Sequence, residues 1–167
     1  MYEKKKILES GDIRIAAAAF LCFTLFEVFP GLNEIAVIAA ALATIIFCCG
    51  ADLQKSFAAA CMRMKTILIG FFIGAASIWA DEFMQNRISF MFLAALGILA
   101  VLAVCWLTKL PYIQAKISCV IYVLVIAVMQ GPFRITYGLM FLLGSLIGSV
   151  VSVFVAFLFD VLEKIFS

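Results

Sequence analysis

Arg14, Glu27, Arg63 and Asp160 stand at the ends of long apolar runs, and Thr66 and Gly70 follow Arg63 at helical spacing. A charge in lipid is costly, so ionisable residues in such runs mark pathways for ions or polar substrates. The chemistry open to this set is anion and proton handling. Arg14 and Arg63 are candidates to face a cytoplasmic vestibule and attract an anion. Glu27, late in its run, is a candidate proton or substrate-cation site. Asp160 is a candidate partner for Arg63 or Arg14. Each has a plainer reading: Glu27 reaches water near Pro30, and both arginines snorkel to the headgroups. Lys65, two residues beyond Arg63, points elsewhere and meets lipid phosphate.

Other chemistries lack their residues. The 167-residue chain contains no histidine, which excludes imidazole ligands and imidazole relays. Its six cysteines form no CxxC pair, and five lie in apolar runs, where cysteine behaves as a small hydrophobe. There is no Gly-x-Ser-x-Gly and no phosphate loop, and the acids are scattered over segment ends. The reading is therefore of a non-enzyme with no metal, no cofactor and no nucleic-acid partner.

The elements that must position these residues are membrane helices. Hydrophobic residues make up 67% and charged residues 13%, about half the usual charged share; the mean hydropathy is +1.23. Six apolar segments follow, at 13–29, 35–49, 64–80, 88–107, 113–129 and 135–159, with Gly or Pro at the breaks after 29, 49, 107 and 129. The segment at 35–49 is short; it spans fully if extended by Asn33 and Glu34, or dips partly. With the N-terminus inside, Lys4, Lys5, Lys6, Arg14, Lys55, Arg63, Lys65, Lys109, Lys116 and Lys164 fall inside, and only Arg87 and Arg134 outside. That bias supports six crossings with both termini cytoplasmic, in the cell (plasma or inner) membrane. No cleavable signal peptide is expected. Trp79, Trp106, Tyr112 and Tyr137 read as interfacial anchors.

One stretch dominates, residues 52–80, which predicts a single helix about 43 Å long at 1.5 Å per residue. That exceeds a bilayer core of roughly 30 Å, so it starts in water and enters the membrane near Arg63 to Thr66. Lys55, Ala59, Arg63, Thr66, Gly70, Gly74 and Ser77 share one face. The face fits an anion path, and it fits a tight helix contact equally. A second small-residue helix carries Gly144, Gly148, Ser152 and Ala156. The expected fold is all-α: one membrane domain over 1–167, six transmembrane helices in a 3+3 inverted repeat. Its parts are a cytoplasmic segment at 1–12, halves at 13–85 and 86–160, and a cytoplasmic tail at 161–167. Gly70, Gly74, Gly144 and Gly148 are assigned to helix packing, because small residues let backbones approach closely in lipid. Transporters built on inverted repeats place their site near the midplane.

Three motifs carry a family resemblance: Arg14-Ile-Ala-Ala-Ala-Ala, Ala39-Ala-Ala-Leu-Ala-Thr, and Leu53-Gln-Lys-Ser-Phe leading to Arg63-Met-Lys-Thr66-Ile-Leu-Ile-Gly70 and Gly74. Together they resemble the aromatic acid exporter superfamily, which includes the fusaric acid resistance (FUSC) proteins. That family shows roughly R-x-x-G-T-x-x-G ahead of a small-residue span. Here Lys65 stands where the small residue is usual, and the Thr-to-Gly spacing is one longer. The resemblance covers residues 10 to 160. It implies proton-coupled export of small, often aromatic, organic anions, by a member without the cytosolic domain many relatives carry. A homodimer or higher oligomer in the lipid bilayer is expected. The alternative is a channel, or a non-transporting scaffold or partner subunit.

Overall fold

The computed structural model describes the backbone of residues 10–29, 31, 34–50, 52–84, 87–128 and 134–166, and the side chains of these except at 10–11, 82–84, 87–90, 127–128, 134 and 166. Lys4, Lys5, Lys6, Pro30, Asn33, Gln85, Gln130, Gly131 and Pro132 lie outside the described residues, as do the side chains of Arg87 and Arg134. The described chain is all-α, with no strand among the described residues. Its helices are α1 (Ser10–Val28), α2 (Ile35–Cys48), α3 (Leu53–Met84), α4 (Arg87–Leu107), α5 (Tyr112–Val123) and α6 (Arg134–Phe166). One π turn, Leu124–Val128, carries α5 onward.

Two helices are long and apolar enough to cross a membrane, over Leu53–Asp81 and Ile135–Ile165. The apolar helices Ile35–Cys48, Met91–Leu107 and Tyr112–Ile126 are shorter. The two long helices outrun the sequence expectation. α3 continues past Ala80 to Met84, and α6 past Phe159 to Phe166, so most of the expected cytoplasmic tail is helix. No Gly or Pro stops either helix there, and the added residues of α6 are tied down by Asp160 and Glu163, described below.

The chain forms two compact units. The first comprises residues 1–61 and 144–167: α1, α2, the first turns of α3 and most of α6. The second comprises 62–143: α4, α5, the rest of α3 and the first turns of α6. In the first unit α1 packs on α2, and in the second α4 packs on α5. The first unit buries Ala18, Cys22 and Phe26 of α1, a stripe four residues apart, with Val37, Ala41 and Ile45 of α2. The second buries Ile67, Phe71, Ile78, Val101, Cys105, Ile121, Tyr122 and Val125.

The α4–α5 turn shows why α4 stops. Leu110 N donates to Cys105 O at 3.0 Å and Lys109 N to Trp106 O at 3.1 Å, the paired bonds of a Schellman cap. The cap requires a left-handed residue after the helix, and Lys109 supplies it with φ 54°. A Cβ in that region costs about 1 kcal/mol. Pro111 then prevents the helix from resuming. Lys109→Gly should stabilise the protein by roughly 0.5–1 kcal/mol, since glycine adopts positive φ freely. A denaturation midpoint at or below wild type would contradict this account of the cap.

Candidate functional site

The sequence-predicted residues do not share one unit. Arg14, Glu27 and Asp160 belong to the first; Arg63, Thr66 and Gly70 belong to the second. Each group is described within its own unit.

In the first unit Arg14 is 1% exposed, so its expected extension to the headgroups does not occur. It turns inward because α6 offers it two carboxylates. Arg14 Nη1 donates to Asp160 Oδ1 at 3.2 Å and Nη2 to Glu163 Oε1 at 3.1 Å. Asp160 and Glu163 are three residues apart and therefore share a helix face. The Phe159 ring lies 5.3 Å from the guanidinium carbon, within cation–π range. Asp160 has a second duty: its Oδ2 accepts the N–H of Leu53, the first residue of α3, at 3.1 Å. The first N–H groups of a helix have no partner inside it, and the helix dipole favours an anion there. One carboxylate thus joins the start of α1, the start of α3 and the end of α6. The expected pairing of Asp160 with Arg14 is present. Glu163 was missed, although its spacing from Asp160 was readable. Glu27 sits in the last turn of α1, exposed, with no ion pair among the described residues.

In the same unit α6 lies against α2 with almost no space between backbones. A Cβ on Gly144 would fall 2.8 Å from Val37 Cα and 2.9 Å from its carbonyl carbon, and nearer still to its oxygen. A Cβ on Gly148 would meet Ala41 in the same way, 2.9 Å from Cα. The contact advances four residues along both helices, so the helices run parallel. Ser149 and Ser152 are buried here, their hydroxyls donating to Ser145 O and Gly148 O one turn back, at 2.9 and 2.8 Å.

In the second unit α3 lies against α5 by the same device. Thr66 Oγ1 donates to Met62 O at 2.9 Å and reaches Gln114 Oε1 at 3.3 Å, while Ser118 Oγ donates to Thr66 O at 2.9 Å. A Cβ on Gly70 would lie 2.7 Å from Ser118 O, and one on Gly74 would lie 2.9 Å from Val125 Cγ1. Ser77 Oγ and Tyr122 Oη are 3.2 Å apart, and Tyr122 Oη donates to Leu93 O at 3.3 Å. Here too the pairing advances along both helices together. The face Thr66, Gly70, Gly74, Ser77 therefore packs on α5. Its partners Gln114, Ser118 and Tyr122 escaped the sequence reading, though they recur every four residues.

Arg63 is buried at 5% exposure and likewise does not extend to the surface, whereas Lys65 is exposed. No group of three or more His, Cys, Asp or Glu residues able to hold a metal occurs among the described residues. The chain matches no family model, no curated protein and no solved structure.

Proposed function

We propose that the chain is a membrane-embedded secondary transporter that exports small organic anions, built as a 3+3 inverted repeat of six helices and related to the aromatic acid exporter superfamily. The observation that carries the reading is two buried guanidiniums, Arg14 and Arg63, in a chain that buries hydroxyl side chains and leaves large apolar ones exposed. Thr44, Thr66, Ser77, Ser118, Ser145, Ser149 and Ser152 are buried, while Phe20, Ile35, Phe72, Phe92, Trp79 and Trp106 are more than half exposed. Helices packed in lipid use small and hydroxyl residues inside and leave large apolar ones outside. Only 39% and 44% of the two longest apolar windows are buried, unlike the core helices of a water-soluble domain. Buried cations in such a setting serve anions or ion relays.

The packing supports the repeat. The third helix of the first half, α3, packs on the second helix of the second half, α5; α6 packs on α2 in return. Both pairs are parallel, as two odd-numbered or two even-numbered crossings must be. The starts of α1 and α3 and the end of α6 meet through Asp160. These are the ends that the lysine and arginine bias assigns to the cytoplasm. Glu27, exposed at the other end of α1, is the proposed proton-coupling group.

The packed α3–α5 face supports a second reading, in which the chain is a scaffold or partner subunit that moves nothing. Flux separates them. Purified protein in liposomes should drive benzoate uptake or release in response to a pH gradient, and Arg63→Gln should reduce it at least tenfold. Glu27→Gln should remove the response to the gradient and leave downhill flux. No benzoate flux above empty liposomes would favour the scaffold, and gradient-independent flux in the wild type a channel.

A further inference from the structure

Resting on the anion-transport reading, we propose that Arg14 is a carboxylate-binding site and that Glu163 fills it in this structure as a tethered stand-in for the substrate. A guanidinium presents a planar carboxylate with two parallel donors along one edge. The edge made by Nε and Nη2 of Arg14 is half used. Nη2 donates to Glu163 Oε1 at 3.1 Å, while Nε, fully buried, has no hydrogen-bond partner among the described residues. A buried donor left unmade is a standing cost that a better-placed acceptor removes.

The two carboxylates on Arg14 are not equivalent. Asp160 is 29% exposed and spends its second oxygen on Leu53 N–H, so it belongs to the frame. Glu163 is 66% exposed, lies in the last two turns of α6 and holds Arg14 through one oxygen only. Glu163 itself is exposed, so its carboxylate regains water on leaving, and the buried guanidinium keeps its bond to Asp160. A free carboxylate taking its place engages both Nε and Nη2, which the tethered side chain does not. Arg14 is itself covered, so the site opens as Glu163 swings away. The Phe159 ring lies over the guanidinium, so apolar surface adjoins Arg14. The ligand class is therefore a small carboxylate.

The test uses the full chain in detergent, with benzoate as probe and benzamide as its neutral isostere. Affinity is read from the rise in melting temperature with probe concentration, because a ligand bound to the folded state raises its stability. Glu163→Ala, an exposed truncation, should bind benzoate about tenfold more tightly than wild type, and benzamide should shift neither protein. Arg14→Lys should lose the benzoate response in both backgrounds. Equal benzoate affinity in wild type and Glu163→Ala, or no benzoate binding by Glu163→Ala, overturns the proposal whatever Arg14→Lys does. Flux measured on the same proteins keeps the two readings apart. Tighter binding without flux retains the site and removes transport; flux with unchanged affinity retains transport and removes the site.

Discussion

Gly148→Ala and Gly144→Ala should each destabilise the protein by about 3 kcal/mol, and Gly148→Val should prevent folding. The reason is what the new Cβ meets. At both positions the nearest atoms are backbone: the carbonyl, Cα and carbonyl carbon of Val37 or Ala41. A side chain can rotate away from an intruding methyl, but a helix backbone moves only as a whole. Overpacking ordinarily costs 1–3 kcal/mol, and a contact without a flexible neighbour belongs at the upper end. The glycines differ in a way that makes the prediction sharp. Gly74 meets the side chain of Val125, so Gly74→Ala should cost about 1 kcal/mol, and Gly31 has open space, so Gly31→Ala should cost nearly nothing. Denaturant unfolding in mixed micelles measures all four. Equal losses at Gly31 and Gly148 would mean that α6 and α2 do not meet through Gly144 and Gly148.

Arg14→Met should cost roughly 2 kcal/mol. The substitution keeps an unbranched side chain as far as the position of Nε and removes the charge. Asp160 and Glu163 are then left as like charges one turn apart, and the anion at the start of α3 loses its counter-ion. Removing one partner of a fully buried pair costs about 3–5 kcal/mol; the exposure of Glu163 and the partial exposure of Asp160 lower that figure. Asp160→Asn should cost less, because an amide oxygen still accepts the N–H of Leu53. Unfolding midpoints of the two single variants and the double variant give the coupling between the residues. A coupling indistinguishable from zero would show that the ion pair does not join α1 to α6.

Much of the framework was legible in the residues themselves. Helix α3 announces itself because no Pro interrupts the run between Leu53 and Ala80, and its single face of Arg63, Thr66, Gly70, Gly74 and Ser77 is a matter of 3.6-residue periodicity. The breaks near Gly50 and Pro111 were equally readable. The extensions of α3 to Met84 and of α6 to Phe166 were not, because Asp81 and Asp160 look like loop residues when only polarity is weighed. Asp160 remains helical because Arg14 and the first turn of α3 need it there, and both are distant in sequence. The π turn at Leu124–Val128 left no mark that composition or spacing could show.

The sequence by itself determined the helical class, the placement of charges at helix ends and the faces on which small residues gather, because these follow from local steric preference and the cost of polar groups in apolar surroundings. Only the tertiary structure decided what those faces touch. That Ser118, Tyr122 and Val125 of α5 lie against the Thr66–Gly70–Gly74 stripe is a fact of the tertiary structure alone. Arg14 suited a headgroup anchor until Asp160 and Glu163 were found within 3.2 Å. Which partner a face meets depends on contacts far apart in the chain, and a periodic pattern specifies a face without specifying its neighbour.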